Sequence, residues 1–143
     1  MSHRTYTHDI EVQYRDLDPR RHVNHVVYAA YVEQAKGRFY ADVLGTPLVD
    51  APTVVRTLEV DYRAPVEPDR VVEIELGPVE VGGTSLGIEY ELTDEGEVVA
   101  TARTVSVYLG EDGRPERLPG EWRERATPYE EEGSGSTDAM DGT

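Results

Sequence analysis

The segment RDLDPRRHVNHVVYAAYVEQAK (residues 15–36) joins a polar loop to a dense run of apolar, helix-forming residues. Asn24 is a candidate N-cap for a helix, and Gly45 and Pro47 are signals that end one. The spacing therefore predicts a single long helix between these positions. Because its first two turns are apolar nearly all round, that end of the helix is expected to be buried.

Segments that alternate between apolar and polar residues, the pattern of half-buried β-strands, surround this helix. One precedes it and four follow it, at residues 7–14, 53–63, 71–82, 85–92 and 98–110. The first segment is expected to place Tyr14 on one face with Ile10 and Val12. In the second segment, Leu58 and Tyr62 share a face.

The order of these elements indicates the fold class. Turn sequences at Gly82-Gly83 and at residues 94–97 join neighbouring strands as hairpins. A strand, one helix and then four strands are typical of an α+β fold, in which an antiparallel five-stranded sheet is wrapped around one long central helix. Since a single sheet covers only one side of an apolar helix, we expect a homo-oligomer whose second copy covers more of it.

Acidic residues dominate the charge of this 143-residue chain, whose length suits one domain. There are 29 Asp and Glu against 14 Lys and Arg, so the net charge is -15, and Lys36 is the only lysine. Such a chain repels phosphate backbones, which argues against nucleic acid as a partner. The charge bias favours a salt-adapted protein from a halophile, with an acidic mesophilic protein as the alternative.

Several kinds of site and location are excluded by what the sequence lacks. It has no cysteine, and its four histidines lack ligand spacing, so no metal site is expected. The N-terminus has no apolar signal core and no apolar run reaches membrane-spanning length, which predicts a cytoplasmic protein with no membrane partner. Residues 126–143 are acidic and rich in Gly and Ser, so we divide the chain into a domain, 1–125, and a disordered tail.

The polar loop before the helix carries a candidate reactive group. Asp18 precedes Pro19 and is therefore biased to an extended backbone close to the helix start. The first helical turn, from His25 to Tyr28, has backbone N–H groups without intrahelical partners, and the aligned peptide dipoles make it electropositive. A carboxylate beside such donors suits acyl transfer to water, because the donors stabilise a developing oxyanion. From spacing alone, ordinary capping residues and surface histidines remain the alternative.

The stretch YRDLDPRRHVNHVVYAAYVEQAKGRFY (14–40) resembles the N-terminal signature of the hotdog-fold acyl-CoA thioesterases, in the 4-hydroxybenzoyl-CoA thioesterase-like group. That signature reads D-x-D-x-x-G-H-V-N-(N/H)-x-x-Y-x-x-Y-x-E-x-A-R. The matching positions are Asp16, Asp18, His22, Val23, Asn24, His25, Tyr28, Tyr31, Glu33 and Ala35. Lys36 replaces the usual arginine, and Arg21 stands where glycine is usual.

The resemblance implies roles for individual residues. Asp18 matches the catalytic carboxylate, acting as nucleophile or general base, and His25 matches the helix-start residue whose backbone N–H polarises the thioester carbonyl. Tyr28 would line the acyl pocket. Arginine at position 21 implies either a different loop shape or a contact with a CoA phosphate. Substrate contacts are also expected from the following residues, the last two reaching over from the partner chain: Asn24, Arg21, Arg63, Thr84 and Ser85.

Other charged residues are secondary candidates. Asp16 is expected to brace the loop rather than to react. Glu33 lies on the predicted helix, where another branch of hotdog enzymes carries its catalytic carboxylate. If CoA phosphates bind, arginines must offset the negative charge of the protein. The candidates for this role are Arg20, Arg21, Arg63, Arg70 and Arg103.

The resemblance therefore implies an acyl-CoA thioesterase, which hydrolyses a thioester to a free acid and CoA. CoA would be part of the substrate, so no separate cofactor is expected. Members of the group join their sheets with the active sites at the interface, which implies a homodimer or a dimer of dimers. A non-catalytic acyl-CoA-binding hotdog module is the alternative function, and a hotdog hydratase ranks last.

Overall fold

A five-stranded antiparallel sheet with one long helix packed against it forms the centre of the computed structural model, which describes residues 3–131. The strands lie in the order β1-β3-β4-β5-β2. The bounds are β1 Tyr6–Glu11, α1 Val27–Phe39, β2 Thr53–Tyr62, β3 Val71–Val81, β4 Ser85–Asp94, β5 Glu97–Tyr108 and α2 Gly120–Ala126. This confirms the predicted α+β class and the sheet-on-helix arrangement of the hotdog fold.

Helix α1 ends where the sequence predicts. After Phe39 the chain makes one wider turn, Tyr40–Leu44, and Gly45 stops it with φ +76°, a left-handed conformation that glycine adopts without a Cβ clash. One face of the helix is buried against the sheet. The apolar residues of that face are Tyr28, Tyr31, Val32, Ala35 and Phe39.

The start of α1 differs from the prediction of all-round burial. Val26, just before the helix, is 61% exposed, and Ala30 is also exposed in the single chain. The physical reason is that the sheet reaches only one side of the helix, so apolar character on the other side meets no protein of the same chain. The apolar surface at this end remains available for contact.

Strand β1 stops at Glu11, earlier than the alternation predicts. Tyr14, expected on the apolar face, is 90% exposed in a 3-10 turn, Tyr14–Asp16, so that expectation is wrong. The Asp16 carboxylate accepts a hydrogen bond from the backbone N–H of Gln13 at 2.8 Å, and the Asp16 N–H bonds the Gln13 carbonyl at 2.9 Å. These two bonds turn the chain out of the sheet before Tyr14 can join it.

The two predicted hairpins are present, but β2 lies apart from β3, which follows it in sequence. Gly82 and Gly83 join β3 to β4, and a turn at Glu95-Gly96 joins β4 to β5. Strand β2 pairs with β5 alone and forms one edge of the sheet. Four apolar side chains on this edge are each 44% to 49% exposed: Val54, Val55, Leu58 and Tyr62.

The C-terminal segment packs against the end of the sheet where β5 finishes. Trp122 of α2 is buried, edge-on to Tyr40 at 5.4 Å and to Tyr108 at 5.2 Å between ring centroids. Ala126 and Tyr129 are also buried, so packing continues past the boundary placed after residue 125. The rest of the predicted tail, 132–143, lies outside the described residues. No helix within residues 3–131 is long and apolar enough to span a membrane.

Candidate active site

The loop that carries Asp18 is folded back on itself as a tight turn. Leu17 and Val23 form an antiparallel bridge, and inside it the Asp18 N–H donates to the His22 carbonyl at 2.8 Å. The Arg21 N–H donates to the Asp18 carbonyl, also at 2.8 Å. Arg21 has φ +67°, the left-handed region that favours glycine. Arginine thus keeps the positive φ that glycine allows, and its side chain is exposed.

The turn holds the Asp18 carboxylate in its ionised form. Its Oδ1 accepts hydrogen bonds from the backbone N–H of Arg20 at 2.9 Å and, more weakly, of His22 at 3.4 Å. The Arg20 guanidinium lies 3.9 Å from Oδ2. Partial burial opposes ionisation, but these backbone donors and the Arg20 charge outweigh it and lower the pKa of Asp18 below its usual value. The side chain is 16% exposed and is therefore still accessible to a ligand.

The start of α1 presents a backbone donor close to this loop. The Asn24 carbonyl accepts the Val27 N–H at 2.8 Å, and the Asn24 Oδ1 accepts the Val26 N–H at 3.2 Å. Asn24 therefore holds the turn that precedes α1. The N-cap position is Val26, which has no side-chain cap, so the prediction of Asn24 as N-cap is wrong by two residues. Among residues 3–131, no protein acceptor bonds the backbone N–H of His25. This N–H is free to donate to a ligand.

Three aromatic side chains lie beside that donor. The Tyr62 hydroxyl donates to the His25 carbonyl at 2.7 Å, and the two rings meet edge-on at 5.9 Å. Tyr28 is buried and packs edge-on against Tyr62 at 5.1 Å. Burial, followed by the charge effect of Tyr62, raises the pKa of Tyr28, so its hydroxyl stays neutral.

The Asp18 loop, the start of α1 and the two tyrosines contribute to one cleft of about 340 Å³. Its walls are formed by Asp18, Arg20, His22, Val23, His25, Tyr28, Tyr62, Arg63, Ala64 and Pro65. The structure therefore brings together four of the residues predicted for the site, namely Asp18, His25, Tyr28 and Arg63. Two others, Arg21 and Asn24, belong to the same loop but do not line the cleft.

Thr84 and Ser85 lie at the opposite end of the sheet in the same chain. Ser85 pairs with Val107 of β5, whereas Tyr62, at the cleft, pairs with Ala100. Positions 100 and 107 are seven residues apart, which is about 23 Å along a strand. These two predicted site residues therefore do not line the cleft of their own chain.

The remaining charged candidates do not line the cleft. Asp16 accepts the Tyr31 hydroxyl at 2.8 Å and so braces the loop, as expected. Glu33 is ion-paired with the buried Lys36 at 2.7 Å and does not line the cleft. Arg70 is paired with Glu95 at 3.2 Å. Arg103 lies across the sheet, opposite Glu59 on β2 and Glu89 on β4.

Among the candidate arginines, Arg20 and Arg63 are the two at the cleft. Within the described part of the chain, no group of three or more His, Cys, Asp or Glu side chains is arranged to hold a metal ion.

Comparison with known proteins places this geometry in a family. The profile of the Thioesterase superfamily matches residues 21–101, more than half of the chain. The chain belongs to the thioesterase superfamily. The superfamily match includes His25, Tyr28 and Tyr62 and begins at Arg21, so Asp18 lies just before it. Comparison with curated protein sequences gives no significant match.

Several solved structures, two of them of thioesterases or predicted thioesterases, share the fold. A Thermus thermophilus thioesterase solved with coenzyme A and Zn is 36% identical, with a TM-score of 0.78 over 84% of this chain and 95% of that one. A predicted thioesterase from Bacillus stearothermophilus is 25% identical, with a TM-score of 0.81 over 90% and 98% of the two chains. A Staphylococcus aureus protein in complex with CoA, 17% identical, has a TM-score of 0.82 over 90% and 85%. This chain therefore has the hotdog thioesterase fold.

Proposed function

We propose that this protein is an acyl-CoA thioesterase, which hydrolyses the thioester of an acyl-CoA to a free acid and CoA. One observation carries the proposal. An ionised carboxylate, Asp18, and an unpaired backbone N–H, that of His25, belong to residues that line the same cleft. A carbonyl group bound between them would meet a nucleophile or base on one side and a donor to its oxygen on the other.

The chemistry follows from these two groups. Asp18 either attacks the carbonyl carbon directly or takes a proton from the water that attacks it. In both routes negative charge grows on the carbonyl oxygen, and the His25 N–H stabilises it. If Asp18 acts as base, the C–S bond breaks, the proton taken from water passes to the CoA thiolate, and the water oxygen remains in the free acid. If Asp18 attacks, the C–S bond breaks to leave an acyl anhydride on Asp18, and water hydrolyses it to the free acid, restores the carboxylate and supplies the proton for the thiolate. His25 lines the cleft, and on the resemblance to the group its imidazole is proposed as a further participant.

Local positive charge supports a CoA substrate. In a chain with a net charge of -15, the guanidinium groups of Arg20 and Arg63 both line the cleft. Guanidinium forks bind phosphate oxygens well, and CoA carries phosphates. The Thermus thermophilus and Staphylococcus aureus relatives, each solved with CoA, support the same substrate class. CoA enters as part of the substrate, so the proposed reaction uses no separate cofactor.

We further propose that two copies pair through strand β2. An edge strand with several half-exposed apolar side chains is a surface that a second strand covers. Two β2 strands related by a two-fold axis at Leu58 would pair antiparallel and place Val54 of one copy opposite Tyr62 of the other. That geometry brings the Thr84 and Ser85 end of one sheet towards the cleft of the other, in a homodimer or a dimer of dimers.

Molecular mass in solution tests the pairing. Light scattering should give at least a dimer for the wild-type protein, and Leu58→Arg should shift it towards the monomer. Val49→Arg adds the same charge at an exposed turn outside β2; it is the control for a general charge effect and should remain associated. A wild-type protein that is monomeric at assay concentration would contradict the pairing.

The acidic composition leads us to propose a salt-adapted, cytoplasmic protein from a halophile. Self-repulsion of a -15 charge weakens the fold when salt does not screen it. The melting temperature should therefore rise between about 0.1 M and 2 M KCl, over which the Debye length falls several-fold. An unchanged melting temperature would contradict salt adaptation.

Release of free thiol from a panel of acyl-CoA substrates in high salt tests the activity. The wild-type protein should release thiol, and Asp18→Asn should lower kcat at least 100-fold, the order expected for a lost base or nucleophile. Asp50→Asn makes the same chemical change at an exposed turn away from the cleft and should have wild-type activity. Tight acyl-CoA binding without thiol release would instead identify a non-catalytic binding module, and full activity in Asp18→Asn would contradict the role of this carboxylate.

A further inference from the structure

The residue that offers the free N–H is not held by the helix itself. His25 and Val26 form a turn, and α1 begins only at Val27. The regular hydrogen-bond ladder of the helix therefore does not fix the backbone of His25. A donor that is to stabilise an oxyanion has to be oriented before the reaction, because reorienting it costs the free energy that the bond supplies.

Two side chains hold this turn from either side. The Asn24 Oδ1 accepts the Val26 N–H at 3.2 Å, and the Tyr62 hydroxyl donates to the His25 carbonyl at 2.7 Å. The same carbonyl also meets the Tyr28 N–H, but at 3.3 Å, a longer contact. The peptide group that carries the His25 N–H is held separately, through the Asn24 carbonyl, which accepts the Val27 N–H at 2.8 Å. The tyrosine bond is the one that reaches this turn from another element of the fold.

Tyr62 is itself well anchored for this task. It is the last residue of β2, and its backbone pairs with Ala100 of β5. Its ring packs edge-on against both Tyr28 and His25. The hydroxyl therefore connects the turn before the helix to a rigid strand, while the ring forms part of the cleft wall.

We propose that Tyr62 is a positioning residue. Its hydroxyl holds the carbonyl side of His25, while the Val27 N–H holds the Asn24 carbonyl, which shares a peptide group with the His25 N–H; together these two bonds direct that N–H at the carbonyl oxygen of the bound thioester. The inference rests on the proposed function and extends it to a residue outside the loop and the helix. Tyr62 acts through His25 and does not itself donate to the substrate oxygen. Loss of its hydroxyl therefore weakens transition-state stabilisation but leaves substrate binding in place.

The variant Tyr62→Phe removes the hydroxyl and keeps the ring. We expect kcat to fall about tenfold, less than the 100-fold or more that follows complete loss of an oxyanion donor. KM should stay within about twofold, since the contacts of the ground state are retained. Tyr14→Phe removes a tyrosine hydroxyl from an exposed turn and should match the wild-type protein in both constants.

A second measurement separates positioning from a purely structural role. An alkyl-CoA thioether has no carbonyl, so its Kd should be the same for the wild-type protein and Tyr62→Phe if the cleft is intact. Loss of thioether binding together with activity would show that the hydroxyl only maintains the cleft, and would overturn the inference. An unchanged kcat in Tyr62→Phe would also overturn it while leaving the proposed function in place. A wild-type protein that releases no thiol from any substrate would contradict the proposed function itself.

Discussion

The two ends of the layer formed by α1 and the sheet are built from similar residues but differ in how they are closed. At one end, Trp122 of α2 packs edge-on against Tyr40 and Tyr108, and the helix covers this end. At the other end, Tyr28 and Tyr62 also pack edge-on, but a polar loop stands in place of a covering helix and leaves a cleft. Aromatic packing thus stabilises one end and shapes a binding site at the other.

At the closed end, Trp122 is expected to contribute to the stability of the fold but little to catalysis. Trp122→Ala removes a buried ring and the bond from its Nε1–H to the Thr46 hydroxyl. The free energy of unfolding should fall by about 3–5 kcal/mol, measured by urea titration. Trp122 does not line the cleft, so kcat of the folded protein should fall far less than in Asp18→Asn, although in the proposed dimer the Thr84 and Ser85 end of this sheet approaches the cleft of the partner.

A conservative replacement sharpens this prediction. Trp122→Phe keeps an aromatic ring in the same space and should lose clearly less stability than Trp122→Ala. A large drop in kcat for folded Trp122→Ala would contradict the separation of the two ends.

At the open end, Arg63 is expected to contribute to the binding of acyl-CoA but little to the stability of the fold. Arg63, which directly follows β2, lines the cleft and is ion-paired with Asp61 of that strand at 3.0 Å. Arg63→Gln should raise KM for an acyl-CoA about threefold or more, since a charge-assisted bond to phosphate is lost, and leave kcat unchanged. Steady-state kinetics at low salt give the largest difference, because screening weakens the contact.

The control for this prediction is Arg103→Gln. It makes the same change of charge at a residue that does not line the cleft. A rise in KM of equal size in both variants would show a general effect of net charge and would contradict a local phosphate contact.

The smallest expected effect concerns the backbone of the Asp18 loop. Arg21 has φ +67°, and a non-glycine residue in that region costs about 1–2 kcal/mol. Arg21→Gly should therefore raise the free energy of unfolding by up to about 1 kcal/mol, after the larger entropy of glycine in the unfolded chain is subtracted. Arg21→Ala keeps the Cβ and hence the strain, so it should lack this gain. Equal stability of the two variants would show that the conformation carries no strain.

Much of the fold could be predicted because its signals are local. Gly45 ends the helix, Gly82-Gly83 forms a hairpin, and the alternation in β4 places its apolar residues inside, all as the sequence indicates. Asp18 is a candidate because residues 14–40 resemble the thioesterase signature, since spacing alone leaves ordinary capping residues as the alternative. The position of Tyr14 could not be predicted, because the Asp16 side chain bonds the Gln13 N–H and turns the chain out of the sheet.

The rest of the site depends on contacts between distant residues. Tyr62 and His25 are 37 positions apart, and their bond exists because β2 lies at the edge of the sheet next to the helix start. Alternation in the sequence places Tyr62 on an apolar face and says nothing about its hydroxyl. The exposure of Val26 likewise depends on how far the sheet reaches, which no local pattern gives.

The central claim is that Asp18 and the His25 N–H act on one carbonyl group. The most direct measurement is the infrared stretching frequency of a ¹³C-labelled thioester carbonyl bound to Asp18→Asn, which should hold the substrate without hydrolysing it. The account predicts a shift to lower frequency than in water, because a fixed backbone donor polarises the carbonyl, and a smaller shift when Tyr62→Phe is added. A carbonyl frequency equal to that in water would contradict it.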